Sequence, residues 1–444
     1  MNARTIVTIL LIMTLPPVWA QEQKLTIEES VAIGLEHSKT LHSSQKKFDY
    51  AEAKAGEVSA GLYPSLKLSA SYQKLSDVPP FKIPIPGAPV DFPVILNSYT
   101  TKATVQQPIF TGWKMQSTAN SAEYSAEASR SDVERDKSEL IYSIKSAYWN
   151  LYRAKEIERL SDNYVHQIGA HLNDVESMFK QGMATTNDVL KVKVQQSNAS
   201  LLQVDARNNV KVAMLFFNST MGIPLTTQVE IGSKLTSMTK EFPGAEQLLT
   251  QAATGRSDVK AMEWRVRAAE SGVTAAKAGW SPQIFLTGNY YYARPNQRIF
   301  PAVDQFKDTW DVGVSLQFDI WNNLTTVYQT TAAQSQFEQT QDALASLKDG
   351  VTLEVTQSYL AFNQAKEKIR LSQLGVEQAN ENLRITQEKF KSGLTTNSEM
   401  IDAEVAQLQA ELQLTQSFVD YELAQAKLEK AVGGGGGSVI SDKL

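Results

Sequence analysis

Phe179-Lys180-Gln181-Gly182-Met183-Ala184-Thr185 returns 211 residues later as Phe390-Lys391-Ser392-Gly393-Leu394-Thr395-Thr396. Ala154-Lys155-Glu156 returns at the same offset as Ala365-Lys366-Glu367, and positions 148–187 share 14 of 40 residues with their copy. Upstream, Gly61-Leu62-Tyr63-Pro64 matches Gly279-Trp280-Ser281-Pro282 at an offset of 218, so the first copy holds seven extra residues between Tyr72 and Val105. Solenoid repeats run to only about 20–50 residues. The longer period therefore marks two similar halves, 21–221 and 248–432, with a linker over 222–247.

A β-hairpin interrupts helix in each half. Leu66, Leu68, Ala70 and Tyr72 alternate with Lys67, Ser69, Ser71 and Gln73, the two-residue period of a strand. Trp310, Val312, Val314, Leu316, Phe318 and Ile320 alternate in the same way with polar residues and Gly313. With looser alternation over 99–109 and 284–292, the pattern predicts strands at about 64–74, 98–110, 282–293 and 309–321. Strands of about ten residues with one apolar and one polar face can cross a tilted bilayer path. Trp113, Trp280 and Trp321 fall at one end of the strands, and Tyr99, Tyr292 and Trp310 at the other. Those are the positions of two interfacial aromatic girdles. A soluble sandwich would also alternate, so the strands alone leave both readings open.

The remainder reads as helix. No proline lies between Pro108 and Pro224, and none follows Pro301. Helices over 112–182 and 322–393 are therefore permitted, flanked by shorter ones over about 26–60 and 185–221. Thr26-Ile27-Glu28-Glu29 has the form of a capping box. The last helix carries one heptad seam through Ile401, Val405, Leu408 and Leu412 and a second through Phe418, Tyr421, Gln425 and Leu428. The earlier copy repeats the pattern with Leu190, Val194, Leu201 and Val204, then Val210, Met214, Phe217 and Met221. Two seams on different faces require a neighbour on each side, as in a cylinder of helices.

Composition narrows the function classes. A net charge of −5 argues against a nucleic-acid partner. With no cysteine and four histidines, neither a metal nor a cofactor is expected. His37 and His42, like His166 and His171, are five apart rather than four, and read as solvated or packing residues. No convergent acid, base or nucleophile set suggests an enzyme. Residues 1–20 have the charged, apolar and small-residue regions of a cleaved export signal, and 433–444 read as a flexible glycine-rich tail. Pro79, Pro80, Pro84, Pro86, Pro89 and Pro93 crowd the first hairpin's tip, as a stiff external loop or an irregular exposed one.

Four strands cannot close a membrane barrel, and open edges are not viable in lipid, so the chain is expected to oligomerise. Two copies give eight strands and a filled interior, three give twelve and room for a lumen. The residues resemble the TolC-like outer-membrane efflux proteins over essentially the whole mature chain. The duplicated helix–hairpin–helix plan, Gln107-Pro108-Ile109-Phe110-Thr111-Gly112 and the two Gly-x-x-Thr turns carry the resemblance. Its most specific part is the turn from Gly393 to Ala403. The resemblance implies a mainly α fold with transmembrane β: a homotrimer with a 12-stranded outer-membrane barrel on a long periplasmic α-helical barrel. It further implies a passive exit duct for small amphiphilic compounds, docked to a periplasmic adaptor and an inner-membrane pump. A duct for type I secretion of polypeptides is the alternative, and a trimeric stalk or adhesin the reading from another class.

The resemblance also assigns candidate sites. The tip turns at about 180–188 and 391–399 would dock the adaptor through Gly182, Met183, Thr185, Gly393, Leu394 and Thr396. Glu399 and Asp402, with Asp188 from the other copy, would form a channel constriction. Three features depart from the family pattern. No cysteine follows the leader to carry a lipid anchor. Thr111 and Trp113 stand where an acid and a glycine are more usual. Thr395 replaces a basic residue that latches the tip in some members.

Overall fold

The computed structural model describes residues 23–79, 82–83, 90–91, 94–232, 240–321 and 323–434. The leader, the prolines from Pro80 to Pro93, linker residues 233–239 and the tail beyond Gly434 lie outside the described residues. The chain divides into two compact units. One holds the segments up to Ser43, Glu134–Arg256 and from Gly350 onward; the other holds Ser44–Val133 and Ser257–Asp349.

The first unit is helical. Strand β1 (Gln23–Leu25) leads to α1 (Ile27–His37), where Thr26 and Glu29 form the reciprocal capping box. The single helix expected over 26–60 is broken at Ser38, whose backbone is extended. The Ser38 hydroxyl accepts from the Leu41 amide at 3.2 Å and so starts α2 (Lys39–Ala60) afresh. The second copy breaks in the corresponding place, between α5 (Ala245–Gly255) and α6 (Ser257–Lys277).

Four long helices form the body of this unit: α3 (Lys114–Lys180) from its Glu134 onward, α4 (Thr186–Met221), α7 (Asn323–Lys391) from Gly350 onward and α8 (Asn397–Ala431). Amide bridges give their order. Asn380 joins α7 to α8 through Gln407, Arg153 joins α3 to α8 through Gln416, and Gln195 joins α4 to Tyr164 on α3. These bonds set α8 beside α7 and α3, and α3 beside α4, while α4 and α8 also meet at the turns. Ile144, Tyr148 and Leu151 meet Phe217 and Met221 in one core, with the Tyr148 hydroxyl donating to the Leu25 carbonyl at 3.0 Å. Fully burying a side chain such as Phe217 contributes about 1.5–3 kcal/mol. That carbonyl ends β1, which pairs in parallel with β6 (Val229–Ile231) and fixes the linker beside the first helix. A second core near the turns takes Ile168 and Val175 from α3, Val192 from α4, Leu383 and Phe390 from α7 and Met400 from α8.

The two outermost helices keep apolar seams uncovered. Leu190, Val194, Leu201 and Val204 on α4 are 56–65% exposed, although Met214, Phe217 and Met221 on the same helix are buried. Leu353, Leu360, Leu371 and Leu374 on α7 are exposed as well. Each seam repeats at near-heptad spacing and stays largely exposed in a single chain, although Leu190 and Val194 share a groove with Ile401 of α8.

The second unit is built on an antiparallel sheet in the order β2 (Ser65–Lys74), β5 (Asn97–Phe110), β7 (Gln283–Arg294) and β8 (Lys307–Gln317). A two-residue ladder of β3 (Lys82–Ile83) and β4 (Val90–Asp91) lies in the first hairpin's tip. The sheet joins the two halves, because β5 pairs with β7 from Tyr99↔Arg294 to Phe110↔Ile284. A bulge lies between Pro108 and Phe110, where proline has no N–H for the ladder. The fourth strand starts two residues before the expected 309 and stops at Gln317, leaving Trp321 beyond it and 96% exposed. Gln317 faces Gln283, the first residue of β7, and the preceding Pro282 cannot extend the ladder. Beneath the sheet, Tyr124 on α3 stacks on Trp264 of α6, and Arg265 pairs with Asp132.

Candidate functional site

Two regions of the structure can act on something outside the chain: the pair of turns in the helical unit and the four-stranded sheet. The turns are built alike. α3 ends at Gly182 with φ +75°, and α7 ends at Gly393 with φ +70°. Nothing lies within 4 Å of where a Cβ would stand at either glycine. Backbone conformation alone therefore requires glycine there. Leu394 is 77% exposed, and Met183 is similarly uncovered.

Each turn then opens a helix through a capping box. The Thr185 hydroxyl accepts from the Asp188 amide, and the Asp188 carboxylate accepts from the Thr185 amide at 3.0 Å and hydroxyl at 2.6 Å. Thr396 and Glu399 repeat the arrangement, with the Thr396 amide donating to Glu399 at 3.1 Å and the Thr395 hydroxyl donating as well. These hydroxyl and amide bonds hold both carboxyls below their ordinary range. Asp188 and Glu399 thus serve the helix N-termini first. The signal for this was present as Thr185-x-x-Asp188 and Thr396-x-x-Glu399, the same spacing read correctly only at Thr26.

Asp402 stands apart from the caps. It is exposed and lines a 380 Å³ groove with Asn187, Leu190, Lys191, Val194, Ser398 and Ile401. Lys191 in the first copy occupies the position of Asp402 in the second, at the offset of 211, so one groove holds both members of a repeat-related pair of opposite charge. The Lys191 ammonium donates to Ser398 at 2.8 Å, and Asn397 donates to the Asp188 carbonyl at 3.1 Å. These two bonds tie one turn to the other. The sequence cue for Lys191 is its repeat counterpart, Asp402. A second groove, of 420 Å³, lies between the turns and is lined by Met178, Met183, Phe390, Gly393, Thr395 and Asn397.

Deeper between the helices, His171 on α3 donates from Nδ1 to Glu404 on α8 at 2.9 Å, with the ring edge-on to Phe390. Both side chains are buried. His171 is a packing residue, but one joined to a buried acid that periodicity gave no reason to notice.

The sheet separates its faces by alternation. Leu66, Leu68, Tyr99, Val105, Val312 and Val314 project on one side and are exposed. On the other, the Thr104 hydroxyl donates to Asn289 at 2.9 Å and Asn289 donates to Asp311 at 2.7 Å, a polar chain across three strands. Tyr292, Tyr99 and Trp310 are exposed near one end of the apolar face, and Trp280 and Trp113 near the other. Trp113 has φ +68° directly after Gly112 at +64°, at the residue where the family pattern favours glycine. Among the described residues no helix is long and apolar enough to cross a membrane.

The family described as outer membrane efflux protein matches residues 33–215 and 248–434. The chain belongs to that family. TolC of Vibrio cholerae is 20% identical over 71% of this chain and 72% of its own. The toxin and drug export protein A of Aggregatibacter actinomycetemcomitans is 22% identical over 74% and 71%. Among solved structures, VceC of Vibrio cholerae superposes with a TM-score of 0.79 at 17% identity, over 92% of this chain and 96% of that one. The open state of the MtrE channel of Neisseria gonorrhoeae gives 0.77 at 18%, over 92% and 89%. The fold is that of these proteins, mostly helical with one four-stranded sheet, and the protein is an outer-membrane transport protein of the Gram-negative type.

Proposed function

We propose that three copies of this chain form a 12-stranded barrel and an α-helical tunnel, the passive exit duct of a tripartite efflux system for small amphiphilic compounds. One observation carries the reading. The sheet has an apolar, exposed face and two unpartnered edge strands, β2 and β8. Unpaired edges cost several kcal/mol per group in hydrocarbon. Joining β8 of one copy to β2 of the next removes every edge. The uncovered seams on α4 and α7 are the corresponding helical edges, head to tail in the same sense.

The turns with Gly182, Met183, Thr185, Gly393, Leu394 and Thr396 are the proposed surface for a periplasmic adaptor, which links the duct to an inner-membrane pump. Asp402, with Asp188 and Glu399 beside it, rims the proposed constriction, and Lys191 supplies the counter-charge that Thr395 lacks. Trp113, Trp280 and Trp321 at one end of the sheet, and Tyr99, Tyr292 and Trp310 at the other, mark the proposed lipid interfaces. The domain bounds 21–221, 222–247 and 248–432 are kept as repeat, linker and repeat. Export of polypeptides is the second reading, favoured by the word toxin in the name of one relative.

The test is the mass of the detergent-solubilised protein together with drug susceptibility of a deletion strain. A mass of three chains and lost resistance support the duct. A folded monomer with protected strand amides refutes it.

A further inference from the structure

The polar face of the membrane sheet is basic. In ladder register its charged residues are Lys67 on β2, Lys102 on β5, and Lys307 and Asp311 on β8. The polar face of β7 carries no charge. The loop between β7 and β8 adds Arg298, which donates to Asp311 at 2.5 Å. Asp311 also accepts from Asn289, so the single carboxylate of this face is shared among donors while three lysines remain in excess. The chain as a whole is acidic, at −5, so the excess is a local feature.

The cations are also positioned. Lys102 sits over the Tyr291 ring at 5.2 Å and Arg298 over the same ring at 5.4 Å. Tyr291 holds both against the sheet and away from the apolar face. Ser69 pairs with Lys102 and Lys67 with Thr104, which makes the two lysines diagonal neighbours on adjacent strands. Like charges at that spacing repel, and the Tyr291 ring beside Lys102 and the already shared Asp311 offset that only in part; an anion between the two lysines would offset it further.

We propose that this face is an anion filter: Lys67, Lys102, Lys307 and Arg298, repeated around the barrel, concentrate small anionic solutes bearing carboxylate, sulfonate or phosphate groups. The inference rests on the duct reading, in which the polar face lines the lumen. Rings of Lys and Arg select anions because a narrow, low-dielectric-walled pore focuses their field. Anionic amphiphiles are then the cargo class that the barrel section favours.

Purified protein in planar bilayers of uncharged lipid tests this, with the reversal potential read in a KCl gradient and inorganic tripolyphosphate as the blocking probe. Tripolyphosphate added on the side of the hairpin loops should block. The triple change Lys67→Gln, Lys102→Gln and Lys307→Gln should raise the blocking concentration about tenfold and move the reversal potential toward cations. Lys102→Gln alone should move both in the same direction, and Lys102→Arg should leave them unchanged. The difference should be largest near 0.01 M salt, where the screening length is about 30 Å, and vanish near 1 M, where it is about 3 Å. Wild-type channels whose selectivity and block are untouched by the lysine changes overturn the filter and leave the duct standing. A wild-type protein that forms no channels overturns both.

Discussion

Removing His171 should loosen the helices around the turns far more than removing its partner along with it. The Glu404 carboxyl is 1% exposed, and the hydrogen bond from His171 is its described polar contact. His171→Leu keeps an apolar surface toward Phe390 but leaves that carboxyl buried alone. Leaving a buried polar group without its hydrogen-bond partner costs about 1–3 kcal/mol, and more for a charged one. The double change His171→Leu with Glu404→Leu removes the stranded group, and replacing a buried pair by apolar residues is neutral or stabilising by about 1–4 kcal/mol. Native-state hydrogen exchange on the detergent-solubilised protein reads local opening free energy, with about 1.4 kcal/mol for each tenfold change in rate. Amides of α3 and α8 flanking the pair should exchange about a hundredfold faster in the single variant. In the double variant they should return to within about tenfold of the parent. A single variant indistinguishable from the parent would refute the argument that this pair couples α3 to α8.

Three other outcomes are expected. Trp113→Gly should raise the unfolding temperature relative to Trp113→Ala, since only glycine sheds the left-handed penalty of about 1–2 kcal/mol at φ +68°; equal temperatures would mean that the junction is unstrained. Replacing Gly182 and Gly393 together by valine should abolish efflux while leaving the protein assembled in the membrane, because a β-branched residue cannot hold those turns; full efflux would remove the turns from the docking surface. Asp188 and Glu399 titrate below their ordinary values of 3.8 and 4.5, chiefly through the Thr185 and Thr395 hydroxyls and then the cap amides. A depressed carboxyl stabilises the fold fully above its ordinary value and loses that contribution as pH falls through the lowered one. Exchange at the Asp188 and Glu399 amides should therefore stay slow at pH 6 and quicken only below about pH 4, and quickening at higher pH would contradict the caps.

Much of the architecture was legible because it was written twice. Strong period-two alternation at Leu66–Tyr72 and Trp310–Leu316 lies within β2 and β8, and a chain without proline between Pro108 and Pro224 runs as two long helices. The breaks at Ser38 and Arg256 were not legible. Each depends on what the backbone meets in three dimensions: the Ser38 hydroxyl restarting a helix, and Arg256 held by Glu354 at 2.6 Å and by the Ala431 carbonyl. Heptad spacing likewise could not say which seam of α4 is covered within the chain. Met214 and Phe217 pack with Tyr148, whereas Leu190 and Val194 stay more than half exposed. The acids of the turns were visible as acids, but the role of a carboxylate depends on its nearest donor. Two of the three are occupied by the threonine three residues earlier.

Duplication also shows where the two halves have been allowed to diverge. Gly182 and Gly393, Thr185 and Thr396, and Asp188 and Glu399 keep the chemistry of turn and cap in both copies, because each copy must reverse and restart a helix. Three residues further on, the same periodicity gives Lys191 in one copy and Asp402 in the other. Neither is needed by its own helix, since both are solvent-facing and lie past the cap. Two lysines at these positions would repel across a shared groove, and two aspartates would do the same. Opposite charges in one groove avoid that repulsion, and between exposed groups any attraction stays within about 1 kcal/mol. An attraction of that size can bias the spacing of the turns without locking it, which suits the proposed constriction.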